Sequence, residues 1–264
     1  LRITIDADAA PGNRDLRVET PRGSLTNPLV FCVGQLPEFS EAPERSRSEP
    51  NYKRSPKSGK PFDGATAAET VVTLPATING QIMPGGVDRF RFPARKGQRL
   101  VLSVQARELI PYMADAVPGW FQAVVAIYDA KGNELAYDDQ YRFHPDPVLH
   151  YEIPADGEYI VEIRDSIYRG REDFVYRLSI GELPFITSIF PLGGRAGEPT
   201  VVALKGWNLP GNRITLGGRD RGPGLYPVSV CRNRQVSNCL PFAIDTLPER
   251  LETEPNPQNA AQSV

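Results

Sequence analysis

An all-β fold is predicted by three features of the sequence. Apolar and polar residues alternate with the period of a half-buried strand through the middle of the chain. Gly 23 and Pro 26 are both abundant and scattered, as turn residues between many short strands would be. No stretch of comparable length carries a helical period, although ARELIPYMADAV at 106–117 has room for one short helix before Pro118.

The elements follow in order. In VDRFRFPA, Phe90 and Phe92 share one face while Arg89 and Arg91 take the other. GQRLVLSVQA places Leu100, Leu102 and Val104 together, and AVVAIYDAKGNELAYDD reads as two strands around a turn at Gly132 and Asn133. VLHYEIP and GEYIVEIRD align Leu149, Tyr151 and Ile153, then Tyr159, Val161 and Ile163. With Asp156 and Gly157 between them as turn residues, the pair is predicted to form a hairpin. DFVYRLSIGE adds Phe174, Tyr176, Leu178 and Ile180 to the apolar set. After Ile180 a new segment, GELPFITSIFPLGGRAGEP, opens with Ile186 and Ile189 and marks a domain boundary. Residues 41–66 are rich in Pro, Ser and charge and poor in apolar side chains, so they read as a linker.

The formal charge of -2 offers no basic field, which excludes nucleic acid as a partner. No apolar run approaches the roughly 20 residues that span a bilayer. No signal segment opens the chain, and Leu1 in place of an initiator Met is expected for an excised fragment. Cys32, Cys231 and Cys239 are too few for a disulfide scaffold. If VSVCRNRQVSNCLPF folds as two strands, Cys231 and Cys239 could bridge across them in an oxidising compartment. The alternative is two free, partly buried thiols. No Cys/His spacing suggests zinc.

An internal repeat organises the chain. RITI at 2–5 matches RITL at 213–216, and TNPLVFCVGQLPE matches SNCLPFAIDTLPE, with Asn27 on Asn238, Phe31 on Phe242 and Pro37 on Pro248. The shift is 211 throughout (213 − 2, 242 − 31, 248 − 37). EPN follows each copy, at 49–51 and 254–256. The predicted organisation alternates a small β-domain with a larger one in a longer parent protein. Residues 1–40 are the C-terminal half of a small domain, 41–66 a linker, 67–182 a complete large domain and 183–248 a complete small one. Residues 249–264 are a linker and the start of a further large repeat. A half sandwich leaves an open sheet edge, so residues 1–40 are expected to pack against another segment or a neighbouring molecule.

LPATINGQIMPGGVDRFRFPARKGQRLVLSV, AIYDAKGNELAYDD, LHYEIPADGEYIVEI and YRLSI together resemble the bacterial pre-peptidase C-terminal domain over residues 49–181. That family is a jelly-roll-like β-sandwich appended to secreted proteases and other exported proteins, similar to the collagen-binding domains of clostridial collagenases. PFITSIFPLGGRAGEPTVVALKGWNLPG resembles the immunoglobulin-like IPT/TIG domain over residues 184–248. The resemblance implies a jelly-roll-like β-sandwich flanked by immunoglobulin-like β-sandwich segments. It also implies calcium ligands at Glu49, Asn51 and Asp88, since hard oxygen ligands, about six to eight of them, suit that ion. Tyr52 and Gly86 stand where the family would offer Asp, and an insertion follows Asn51. No cofactor is expected other than this one candidate, calcium.

Asp138, Asp139 and Asp146, with Asp115 and Asp129, supply enough carboxylates for an acid/base pair. Most lie in or beside turns, where Asp caps its own backbone. His144 and His150 accompany no nucleophile motif. The main aromatic concentration comprises Tyr112, Trp120, Phe121, Tyr128, Tyr141 and Phe143. It is a platform for sugar or peptide if exposed, and core if buried. The charged loop RDSIYRGREDF reads as a local ion-pair network. These features predict a non-catalytic spacer, adhesion or substrate-targeting segment of a large exported bacterial protein, located in secreted, periplasmic or cell-surface form. Its expected partners are a polysaccharide, an extracellular protein, or other domains of the parent chain. The alternatives are a hydrolase using the acidic residues and a spacer without ligand.

Overall fold

Strands form where the alternation predicts them, and no described residue is helical. The computed structural model describes residues 2–41, 69–110, 119–218 and 221–250. It divides into two units, Leu1–Glu182 and Leu183–Val264. No helix in it is long and apolar enough to cross a membrane.

The first unit begins with β1 (Gly12–Leu16) and β2 (Leu29–Val33), an antiparallel pair. There follow β3 (Glu38–Ser40), β4 (Thr70–Val71), β5 (Ala76–Gln81), β6 (Val87–Ala94), β7 (Arg99–Gln105), β8 (Ala123–Asp129), β9 (Glu134–Asp138), β10 (Val148–Glu152), β11 (Gly157–Asp165) and β12 (Val175–Gly181). They form two five-stranded sheets, in the orders β10-β7-β12-β5-β3 and β4-β6-β11-β8-β9. Alternation turns Phe90, Phe92, Val161 and Ile163 inward from one sheet, and Ile78, Leu102, Leu178 and Ile180 inward from the other, into a single core. This is a β-sandwich, as predicted.

Two local expectations change. β10 and β11 are not a hairpin, for they lie in different sheets. β10 pairs β7, with Leu149 opposite Leu102, while both edges of β11 are taken by β6 and β8. Ile153, between them, is buried and exchanges backbone hydrogen bonds with the 97–98 turn, so Asp156 and Gly157 lie on a crossover between sheets rather than in a tight turn within one. The second change concerns the boundary at residue 40. β3 lies parallel to β5, with Phe39 opposite Ile78. Pro37 O accepts from Thr77 N, and Glu38 meets Arg177 at 2.8 Å and Asn79 at 2.9 Å. The large sandwich therefore recruits residues 37–41 as an edge strand, which covers that edge of β5. The linker from residue 42, and the tail beyond residue 250, lie outside the described residues, as do residues 111–118 of the stretch with room for a helix.

The second unit comprises β13 (Phe185–Phe190), β14 (Gly193–Arg195), β15 (Pro199–Trp207), β16 (Arg213–Gly217), β17 (Gly224–Val228), β18 (Cys231–Arg232), β19 (Gln235–Val236) and β20 (Leu240–Asp245). Sheets β13-β15-β16 and β14-β20-β17 enclose Ile186, Ile189, Val202, Leu204, Val228, Phe242 and Ile244. Ile186 and Ile189 are three residues apart, so a regular strand would turn them to opposite faces. A bulge between Ile186 and Ser188 brings both inward. The Asn238 side chain clamps the bulge, accepting from Ile186 N at 2.7 Å and donating to Ile186 O at 3.0 Å. The hairpin of β18 and β19 pairs Cys231 with Val236, and Cys239 lies beyond its ladder. Both cysteines are free, exposed thiols, so the bridge considered from sequence is not formed.

Removing the Asn238 clamp strands two backbone groups of Ile186; Asn238→Ala is expected to lower the stability of the second unit by about 1–3 kcal/mol, read by denaturant unfolding. Attachment of β3 is expected to depend on acid. The hydrogen bond from Arg177 holds Glu38 below its ordinary carboxyl range. The contribution of Glu38 is thus complete above that ordinary range and is lost as pH falls through it toward the lowered value. The protection factors of the Glu41 and Thr77 amides, which bond across this edge, should fall on acidification in the native protein and not in Glu38→Gln.

Candidate functional site: the loop end of the first sandwich

The loops following β5, β7, β9 and β11 gather at one end of the first sandwich, and buried carboxylates fasten them. Asp165 closes β11 with no exposed surface. Its Oδ1 accepts from Gln122 N at 3.1 Å and Arg169 Nη2 at 3.1 Å. Its Oδ2 accepts from Ile167 N at 3.2 Å, Arg169 N at 3.0 Å and Arg169 Nε at 3.1 Å. Arg169 then donates to Trp120 O at 2.9 Å, and Arg171 to Gly119 O at 3.1 Å. The charged loop forms the local ion-pair network expected of it, and its Asp165 is buried.

Asp146 does the same for the next loops. Its carboxylate receives three successive backbone amides, Ala106 N at 3.1 Å, Arg107 N at 2.8 Å and Glu108 N at 2.9 Å. Asp138 accepts from Val148 N at 2.9 Å, and burial pushes its carboxyl up against that hydrogen bond. Asp129 caps its own turn through Lys131 N and Asn133 N, and the Asn133 side chain holds its carboxyl low. Asp129, Asp138 and Asp146 thus serve as acceptors for backbone amides, while Asp115 lies outside the described residues. Among the described residues no three His, Cys, Asp or Glu side chains converge on a possible metal position.

The aromatic candidates separate. Phe121 is core, stacked on Phe174 with centroids 5.2 Å apart. Trp120 is half-buried, with the Arg107 guanidinium 4.4 Å from its ring centroid. Tyr141 is half-buried, with Arg142 5.4 Å from its ring centroid. Phe143 is 99% exposed. Tyr112 lies outside the described residues.

Phe143 stands at the tip of a two-residue turn. Tyr141 and His144 exchange backbone hydrogen bonds, each 2.8 Å, and between them Arg142 and Phe143 have φ of 49° and 66°. Two successive left-handed residues are the signature of a type I′ turn, which normally selects Asn and Gly. Arg and Phe here hold a backbone that costs on the order of 1–3 kcal/mol per residue and persists only where its surroundings impose it. Nothing in RFHPD signals a turn of this type, so neither the turn nor the full exposure of Phe143 could be read from sequence. Ile167 and Tyr168, on the loop after β11, are also exposed, and nothing among the charges around them in the sequence signals it.

Of the three calcium candidates, Asp88 alone is described; Glu49 and Asn51 lie outside the described residues. Asp88 Oδ2 accepts the Tyr176 hydroxyl at 2.7 Å, and burial together with that carboxylate pushes the phenol well up. Gly80 makes the room: a Cβ there would lie 2.3 Å from the Tyr176 hydroxyl oxygen.

No protein-family model matches the chain, and no curated protein matches it. Among solved structures, the chain is similar to the pre-peptidase C-terminal domain of collagenase from Bacillus anthracis. The TM-score is 0.31 at 14% identity, covering 42% of this chain and 93% of that one. It is also similar to the Aeromonas hydrophila periplasmic inhibitor of g-type lysozyme (TM-score 0.30, 15% identity, 43% and 98% covered). A mutant of the Escherichia coli inhibitor scores 0.29 at 17% identity, with 43% and 98% covered.

Asp165→Ala would leave Arg169 and three backbone amides without their acceptor. A loss of about 3–5 kcal/mol is expected in denaturant unfolding, whereas Phe143→Ala should change stability by less than about 0.5 kcal/mol.

Proposed function

We propose that this chain is a non-catalytic binding and spacer segment of a large exported bacterial multidomain protein, secreted, periplasmic or on the cell surface. The ligand class is an extracellular protein or a polysaccharide. The observation that carries the reading is Phe143, a wholly exposed aromatic on a turn with two left-handed residues. An aromatic side chain has few rotamers to lose, and a turn already ordered adds little further entropy cost, so such a tip anchors a ligand efficiently. Arg142 sets a cation beside it, and Ile167 and Tyr168, on the loop after β11, add exposed apolar area at the same end of the sandwich. The mechanism is presentation, in which the sandwich core supports the loops and the carboxylates hold them in one arrangement. The sequence resemblance to domains appended to exported proteins supports the same reading.

Hydrolysis by the acidic residues is less well supported, because Asp138 and Asp146 already accept backbone hydrogen bonds. A binding panel of extracellular-matrix proteins and polysaccharides, run beside hydrolysis assays on the same materials, separates the possibilities. Binding without turnover is expected, and Phe143→Ala should weaken it by tenfold or more, about 1.4 kcal/mol or above, with unfolding unchanged. Turnover lost in Asp139→Ala would establish the hydrolase instead, and no binding anywhere on the panel would leave a structural spacer.

A further inference from the structure

The N-terminal residues repeat the end of the second unit in structure as well as in sequence. β1 pairs β2 as β17 pairs β20, antiparallel, with Gly12 in the place of Gly224 and Phe31 in that of Phe242. The bridge Glu19 to Leu25 reproduces the pairing of Cys231 with Val236. Val18 N donates to Thr26 Oγ1 at 3.0 Å and Thr26 N to Val18 O at 3.0 Å. In the second unit Val230 N donates to Ser237 Oγ at 3.0 Å and Ser237 N to Val230 O at 2.9 Å. The offset is 212 before the turn (224 − 12, 230 − 18) and 211 after it (237 − 26, 242 − 31), so the first copy has a turn one residue longer.

What differs is the cover. In the second unit, β13 and β15 close the sandwich over Phe242, β14 runs parallel to β20 with Ala243 N donating to Leu192 O at 3.0 Å, and Asn238 clamps Ile186. Ile214 and Leu216 of β16 pack on that core, and β16 itself forms against β15. In the first copy β2 pairs β1 alone among the described strands. Phe31 is half-buried where Phe242 is 1% exposed. Ile3 and Ile5, equivalent to Ile214 and Leu216, are 43% and 49% exposed, and their RITI segment forms no strand. Asn27, equivalent to the Asn238 clamp, is exposed and has no hydrogen-bond partner among the described residues.

We propose that residues 2–33 are a preformed acceptor for a polypeptide segment of the β13–β15 kind. The partner is a strand of alternating apolar residues with a bulge near its start, a short parallel strand and a long second strand. The strand with the bulge would present one residue's N–H and C=O to the Asn27 amide. The short parallel strand would pair the open edge of β2. The long strand would cover Phe31 and order Ile3 and Ile5 into a strand like β16. The occupant is the front half of another small-domain repeat, joined in the same polypeptide, and the inference stands apart from the identity of any ligand bound at the loop end.

Residue 212 immediately precedes the residue equivalent to Arg2, so the test joins residues 183–212 directly before Arg2 in the otherwise full chain. The Cys32 amide, equivalent to that of Ala243, should exchange more slowly by about tenfold or more than in the unfused chain, with Ala243 in the same molecule as the positive control. Asn27→Ala should reverse much of that protection in the fused protein and leave the unfused one unchanged. A second fusion with Ile186→Asp and Ile189→Asp in the added segment should give no protection. Equal exchange at Cys32 with and without the added segment would overturn the proposal. So would concentration-dependent self-association of the unfused chain abolished by Phe31→Asp, which would make a second copy the occupant.

Discussion

The Asp165 carboxylate is the point on which the loop end depends. A charge with no exposed surface is tolerated only where donors replace its lost hydration, and here donors come from two loops: Gln122 after β7, and Ile167 and Arg169 after β11. The requirement runs both ways. Asp165 needs these groups, and the loops, which have no sheet ladder to satisfy their amides, need Asp165. Asp146 solves the same problem for residues 106–108. Loops held at their bases can carry a strained tip, which is what the turn at Arg142 and Phe143 is.

The same economy governs the outer face of the sheet. β11 is its central strand, so Ile160 and Glu162, which alternation turns away from the core, are buried as well. Glu162 is accommodated by Arg89 at 2.7 Å and Arg164 at 3.5 Å, with the Tyr128 hydroxyl at 3.4 Å. Ala126 lies directly opposite, and its small side chain leaves space for this group. Burial and the Glu162 charge push the Tyr128 phenol up, so it stays a neutral donor toward Glu134 and Glu162. Charges that alternation places on the outer face of the sheet therefore include one, Glu162, that is interior and paired.

Period-2 alternation is a local property, and it was legible. Phe90 and Phe92, Leu100 and Leu102, and Tyr176 and Leu178 point inward as their spacing requires. Which strands pair is not local: β10 and β11 look like a hairpin because their turn residues suit one, but β7 and β6 compete for them across the core. The repeat was legible too, since it is a comparison of the chain with itself, and it survives as matched hydrogen bonds at offsets of 212 before the turn and 211 after it. The recruitment of β3 by β5 was not, because three residues of edge strand carry no periodic signal. At the loop end the sequence located the aromatic cluster without separating core from surface. Phe121 and Phe143 have the same chemistry, and only tertiary packing distinguishes them. The turn holding Phe143 lacks the Asn and Gly that announce its type, so its geometry rests on the folded loop rather than on residue preference.

That imposed rigidity is the central claim, and backbone order parameters for residues 139–147 of the unliganded protein test it most directly. A preorganised tip requires Arg142 and Phe143 to give values near those of the strands, about 0.85. Values below about 0.6 at these two residues would contradict it, because a mobile tip would have to pay its ordering entropy on binding.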